Sequence, residues 1–261
     1  MNRGHKAADD MFEKEFTKIR TEKGTTTSII SGWLEPPTDK QSDGKLKCYI
    51  PKVDPESNTS FMKVLEPDLP RGLRPRACIV HSGNAFMRKV ENLCNRDICT
   101  ATLRIKKSKK DQSGTENEKL ILFSVVYIEG TDTYLPKKLH EVINYAKRKN
   151  LPLQILMDSN SHNTLWFSKK TDKKGQEIED LLLRNNLTVL NNEPTPTFVG
   201  RGCSTHVDIS IISNNLIDKV SNWEVKSTKD YIKTDHNLFR YNYNIKFEAP
   251  RKLTQNPAKW K

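Results

Sequence analysis

The sequence predicts a layered α/β fold in which two packed β-sheets are flanked by outer helices. Two observations carry this. The segment "YLPKKLHEVINYAKRKN" places Leu135, Leu139, Val142, Ile143 and Ala146 at helical spacing and leads directly into the short apolar strand "LPLQILM". Helix into buried strand is the grammar of α/β chains. Further strand-like segments, "RACIVHS", "ICTATLRI", "KLILFSVVYI" and "HVDISIIS", are spread along the chain, and their number argues for two sheets sharing one core.

The elements follow in order. "HKAADDMFEKEFTKI" carries Ala7, Ala8, Met11, Phe12, Phe16 and Ile19 near the one-face spacing of an amphipathic helix. "TTTSIISGWL" is β-branched and reads as a strand, with Glu35 and the rigid Pro36-Pro37 pair at its end. Residues 38–60 are polar and predict a loop with one short strand around "LKCYI". "KKSKKDQSGTENEK" predicts a hairpin excursion whose lysines either touch phosphate or simply face solvent. "GQEIEDLLLRNN" is a second amphipathic helix, followed by strands in "LTVLN", "HVDISIIS", "KVSNWEVK" and "NLFRYNYNIKFE". Residues 1–247 are read as one domain and 248–261 as a tail or linker.

Lys and Arg number 44 against 32 Asp and Glu, a formal charge of +12. That balance favours a polyanionic partner such as DNA or RNA, with an anionic membrane surface or plain solubility as other sources. Five cysteines without a CxxC pair suggest neither a disulfide framework nor zinc, and fit a reducing intracellular compartment. No apolar run approaches the roughly 20 residues of a bilayer span, so no membrane partner is expected.

Polar residues collect where strands end: Glu35, Asp158 with Asn160 in "LMDSNSHN", Asp208, and Asp235 with His236. Active groups in layered sheets gather beyond strand ends. Carboxylates suit a hard divalent cation, and Mg²⁺ contacts one or two of them together with a substrate phosphate. Asp158 and Asn160, two apart, face the same way in an extended segment. His236 offers a proton or hydrogen bond to a phosphoryl oxygen, with Asp208 fixing its tautomer and favouring the imidazolium. Taken singly, a DxN is more often a turn or cap, and a histidine more often a surface residue.

The ordered set "WLEPP", "SVVY", "LMDSNSHNTLW", "STHVDISI" and "KTDHNLF" resembles the endonuclease/exonuclease/phosphatase superfamily, and within it the apurinic-site-endonuclease-like domain of non-LTR retrotransposons. The resemblance spans residues 2–245. It implies a four-layered α/β sandwich, two packed mixed β-sheets flanked by helices. By that resemblance Glu35 is a metal ligand, Asp235 a metal-associated acid, and Mg²⁺, with Mn²⁺ as a substitute, the cofactor. Asp158 holds or activates the attacking water, Asn160 orients phosphate or nucleophile, and Tyr127 contacts phosphate. Asp208 orients His236. Asn2 matches the asparagine of the family's first strand, most of which would precede residue 1. Ser204 or Thr205 contacts phosphate, with no basis for choosing between them. Ser159 stands where relatives often carry phenylalanine, a change of packing beneath the site.

The implied activity is a nick in double-stranded DNA that leaves a 5′-phosphate and a 3′-hydroxyl, the latter priming a reverse transcriptase domain of the same polyprotein. His162 and Asn163 contact DNA or, the favoured reading, form a buried network supporting the "DSN" loop. Arg201, in "PTPTFVGRGCST", suits a hairpin tip reaching into a groove, or an ordinary connection. Two rival readings stand beside this one: a related phosphoesterase acting on RNA or phosphoinositide, and a catalytically degenerate DNA-binding module. Work on genomic DNA implies a nuclear location, for which "RIKKSKK" suits a localisation patch as well as an ordinary basic loop.

Overall fold

The computed structural model describes residues 18–19, 28–34, 36, 38–48, 62–82, 85–105, 119–200, 202–226 and 235–243. Within them the chain forms β1 (Lys18–Ile19), β2 (Ser28–Leu34), β3 (Thr38–Lys40), β4 (Leu46–Cys48), β5 (Met62–Leu65), β6 (Ala77–Ser82), β7 (Met87–Lys89), β8 (Ile98–Ile105) and β9 (Lys119–Tyr127). Helix α1 (Lys137–Arg148), β10 (Leu153–Asp158), α2 (Lys173–Arg184) and β11 (Leu187–Val189) follow. The chain continues through β12 (Phe198–Gly200), β13 (Cys203–Thr205), β14 (Asp208–Ser213), β15 (Val220–Lys226) and β16 (Leu238–Tyr243).

The architecture is α/β, with a mixed sheet flanked by helices. A six-stranded sheet runs β11-β14-β10-β9-β8-β7, a four-stranded sheet runs β1-β2-β6-β5, and β3-β4, β12-β13 and β15-β16 are separate two-stranded ribbons. Among the described residues, five sheets thus stand where two packed mixed sheets in four layers were expected. β9 and β10 pair in parallel across α1, while the described pairs of the four-stranded sheet are antiparallel.

Alternation along β9 and β10 explains the layering. Leu122, Val126, Leu153, Ile155 and Met157 pack against Leu139, Val142 and Ile143 of α1 and Ile178 and Leu182 of α2. The opposite face, with Ile121, Phe123, Val125 and Leu156, packs on Ile30, Ala77 and Ile79 of the four-stranded sheet, and Trp223, Tyr241 and Tyr243 of the β15-β16 ribbon close the same core. Burying each such large apolar side chain is worth about 1.5–3 kcal/mol. Gly32 lets the sheets meet: a Cβ there would lie 2.6 Å from a Val125 methyl and 2.9 Å from Leu156.

Both amphipathic helices lie where their periodicity puts them. α1 ends in Lys147 and Arg148, which favour the negative end of its dipole. α2 is capped by Asp172, whose carboxylate accepts from the Gly175 amide at 2.7 Å. Two differences from the sequence reading stand out. Lys18–Ile19, read as the end of the first helix, is an edge strand paired to β2. Thr38–Lys40, read as loop, pairs with β4. The rest of the first predicted helix and the excursion at 106–118 lie outside the described residues.

Candidate active site

Three neighbouring strands bring three of the expected residues to one level. Asp158, the last residue of β10, is in register with Tyr127 at the end of β9 and with Asp208 at the start of β14. Directly paired residues project to the same face, and by alternation this is the face turned toward the other sheet, not toward the helices. Both carboxylates are 3% exposed.

The run after Asp158 is a tight polar loop. The Asn160 amide donates to Asp158 Oδ1 at 3.1 Å and its backbone takes φ 41, a left-handed turn that asparagine accepts better than most residues. Asn160 Nδ2 donates to the Ile128 carbonyl at 2.9 Å, anchoring its amide beside the end of β9. Beneath it, Ser159 donates its backbone N–H (2.8 Å) and its hydroxyl (2.7 Å) to the Val207 carbonyl and accepts from the Ser161 hydroxyl. A phenylalanine could make neither side-chain bond, so the serine ties this loop to the strand that carries Asp208.

Asn163 is fully buried. Its amide donates to Gly175 O and Glu179 Oε2 and accepts from the Leu165 amide, so it offers a nucleic acid no surface. His162 is half-buried; its backbone N–H donates to the Asp172 carboxylate and its carbonyl accepts from the Asp172 amide. Helix α2 approaches so closely here that a Cβ on Gly175 would fall 1.9 Å from the His162 carbonyl oxygen.

His236 reaches the cluster from the other end of the chain. Its Nδ1 lies 2.9 Å from Asp208 Oδ2. The strand β12 segment holds both partners: Thr197 Oγ1 accepts from the Asp208 amide, Asn237 N donates to Thr197 O, and Val199 N donates to Asp235 O. Phe198 packs edge-on against the imidazole with ring centroids 5.0 Å apart. With Nδ1 facing Asp208, Nε2 projects from the opposite side of the ring.

Among the described residues, Asp158, Asp208 and His236 form a group whose ligand atoms lie within 4.8 Å of one another, a donor set able to coordinate a divalent cation. Asp235 is exposed, does not join that group, and packs its carboxyl on Gly200, where a Cβ would come within 2.4 Å. Ser204 is exposed and Thr205 half-buried, on the β12-β13 hairpin. Glu35, Asn2 and Arg201 lie outside the described residues.

Three residues at the site were not anticipated. Arg76 lays its guanidinium 4.3 Å from the Tyr127 ring centroid and pairs with Asp97 and Glu129. The Asp97 bond first, and then Glu129, hold the Arg76 guanidinium more firmly protonated than usual, while Arg76 holds the Glu129 carboxyl below the ordinary carboxylate range. Buried Lys174 donates to the carbonyls of Glu129, Gly130 and Asn160, clamping two loops. Thr197 is the third. In the sequence, Arg76 stands next to a strand but nothing pairs it with Tyr127, 51 positions on.

Residues 121–240 match the family described as endonuclease-reverse transcriptase. Among solved structures, the endonuclease domain of TRAS1, a telomere-specific non-LTR retrotransposon, superposes with a TM-score of 0.58 at 23% identity, covering 70% of this chain and 80% of that one. A 3′-5′ exonuclease of Neisseria meningitidis (TM-score 0.49, 12% identity, 70% and 80% coverage) and the APE2 catalytic domain of Xenopus laevis (0.49, 10%, 75% and 79%) are also similar. No curated protein matches the chain. No helix among the described residues is long and apolar enough to cross a membrane. Residues 121–240 thus match an endonuclease-reverse transcriptase family, on a fold shared with the TRAS1 endonuclease domain, and within them Asp158, Asp208 and His236 cluster as a donor set able to hold a divalent cation.

Proposed function

We propose that the domain is a Mg²⁺-dependent DNA endonuclease that nicks target DNA to leave a 3′-hydroxyl, which primes reverse transcription of a non-LTR retrotransposon. The observation that carries this reading is the Asp208–His236 pair set beside Asp158 at one level of adjacent strands. The matched endonuclease-reverse transcriptase family supports the retrotransposon setting and a reverse transcriptase domain as partner. The charge of +12 supports a DNA substrate.

The donor set fits a divalent cation, since two carboxylates and an imidazole lie within reach of one another. Mg²⁺ prefers carboxylate oxygen, so Asp158, with Glu35 as the further ligand the resemblance implies, would hold it, while Asp208 faces His236, His236 is left for the phosphate, and Asp235, also implied by the resemblance, packs on Gly200 outside the group. When bound, the ion would polarise the phosphate and offset its charge.

Asp158 accepts a hydrogen bond from the attacking water and takes its proton as the water oxygen bonds to phosphorus. Asn160, anchored on Ile128, retains an N–H to orient water or phosphate. Tyr127 and His236 Nε2 donate to phosphoryl oxygens as negative charge grows, and Asp208 keeps the imidazole in the donating form. The bond to O3′ breaks and O3′ takes a proton from solvent water, giving a 3′-hydroxyl and a 5′-phosphate.

The test is nicking of supercoiled plasmid with Mg²⁺ by the wild-type chain, by His236→Ala, and with EDTA added. Open-circle product is expected from wild type alone, with ends that a polymerase extends without prior phosphatase treatment. Wild-type nicking no greater than that of His236→Ala, or faster cleavage of RNA or inositol phosphates than of DNA, sinks the proposal.

A further inference from the structure

The geometry points to a DNA-gripping rim beside the catalytic cluster: Phe167 packs as a wedge against a base of the duplex near the scissile phosphate, while Lys169 and Lys170 sit on flanking phosphates. This inference rests on the nuclease reading above and adds to it a contact surface.

The first observation is a backbone outlier. Phe167 takes φ 66 and ψ 13, a left-handed conformation that a bulky residue adopts only under constraint. The constraint is visible. Buried Asn163 caps the turn Thr164–Trp166 through the Leu165 amide, and the amides of Phe167 and Ser168 return to Thr164 O and Asn163 O. Trp166 points into the core, and the reversal then directs the next ring outward: Phe167 is 37% exposed and Leu165 48%.

Charge supplies the second observation. Lys169, Lys170 and Lys173 follow directly and are all exposed. The nearby acid, Asp172, has its oxygens engaged by the Gly175 and His162 amides. Position supplies the third. The Phe167 ring lies 6.5 Å from that of His206, two residues before Asp208, and Ser159 ties the catalytic loop to Val207 between them. A ligand that is both polyanionic and stackable satisfies this surface: lysines meet phosphates and the ring meets a base face, as in side chains that unstack DNA steps.

The test uses the full 261-residue chain and duplexes with 2-aminopurine stepped along the sequence, in EDTA, so that binding is read apart from cleavage. Wild type should bind and raise the fluorescence as a base unstacks. Phe167→Gly should lose that rise and bind roughly tenfold more weakly. Its melting temperature should hold or increase, because glycine takes this φ freely. Phe167→Tyr should keep affinity and fluorescence. Lys169→Gln with Lys170→Gln should flatten the salt dependence of binding by a log–log slope of about two.

Phe167→Gly with wild-type affinity and fluorescence overturns the inference, as does failure of wild type to bind duplex at low salt or a preference for an acidic protein over DNA. A wild type that binds and unstacks but does not nick with Mg²⁺ overturns the nuclease reading and leaves the rim. Equal nicking KM for wild type and Phe167→Gly overturns the rim alone.

Discussion

Asp208→Asn keeps the shape of a residue whose backbone amide is held by Thr197 Oγ1 and whose carboxylate faces His236 Nδ1. An amide there no longer supplies the negative charge that favours a doubly protonated ring, so Nε2 donates to the phosphate less strongly. Single-turnover nicking should fall on the order of 10²–10⁴-fold, with KM little changed. Glu129 allows a pH test. Its carboxyl is held low chiefly by the Arg76 hydrogen bond, so its contribution is complete above the unfolded value of about 4.3 and is lost as pH falls through the lower folded value. Melting temperatures of wild type and Glu129→Gln should therefore differ near neutrality and converge as pH falls below the unfolded value and through the lower folded one. At this scale Asp158, Asn160, Asp208 and His236 were legible, because few side-chain types do phosphate chemistry and theirs stand at strand ends. Arg76 and Thr197 were not legible, since a cation over a ring and a hydroxyl under an amide are made by neighbours distant in sequence.

Among the elements, α2 and the loop after β10 depend on one small residue. Gly175→Ala forces a methyl into the His162 carbonyl, and backbone cannot yield as a side chain can. It should cost about 3 kcal/mol in urea unfolding and lower nicking together with stability. Strand β10 offers the opposite case. Gln154 is buried with neither amide atom hydrogen-bonded among the described residues, on the face toward the other sheet. Gln154→Met removes the desolvation cost at similar volume and should raise stability by about 1–2 kcal/mol, measured by the same denaturation. Periodicity predicted α1, α2, β9 and β10 because each has one unbroken apolar pattern. It missed β3 and turned β1 into helix, because two- and three-residue edge strands are made by pairing with β4 and β2 and carry too few residues for a period.

For the whole molecule, a charge of +12 implies that the proposed DNA binding would be largely a matter of phosphate contacts and released counterions. Raising salt from about 50 to about 200 mM should weaken duplex binding at least tenfold, as read by fluorescence anisotropy in EDTA, while the unfolding midpoint moves far less. A flat salt response would remove the electrostatic account of substrate binding. The sequence by itself determined the α/β class, the order of its long elements, and the acids, amide and histidine assigned to the site, because hydrophobic period and side-chain chemistry are local properties of the chain. Only the tertiary structure decided that β9, β10 and β14 stand side by side, which sets Tyr127, Asp158 and Asp208 level. It also decided that His236 closes on Asp208 through β12, that Asn163 is a buried strut, and that Phe167 faces outward from a strained turn. These depend on strand register and on contacts between distant segments, and register is fixed by packing two faces at once, which no single stretch of sequence contains.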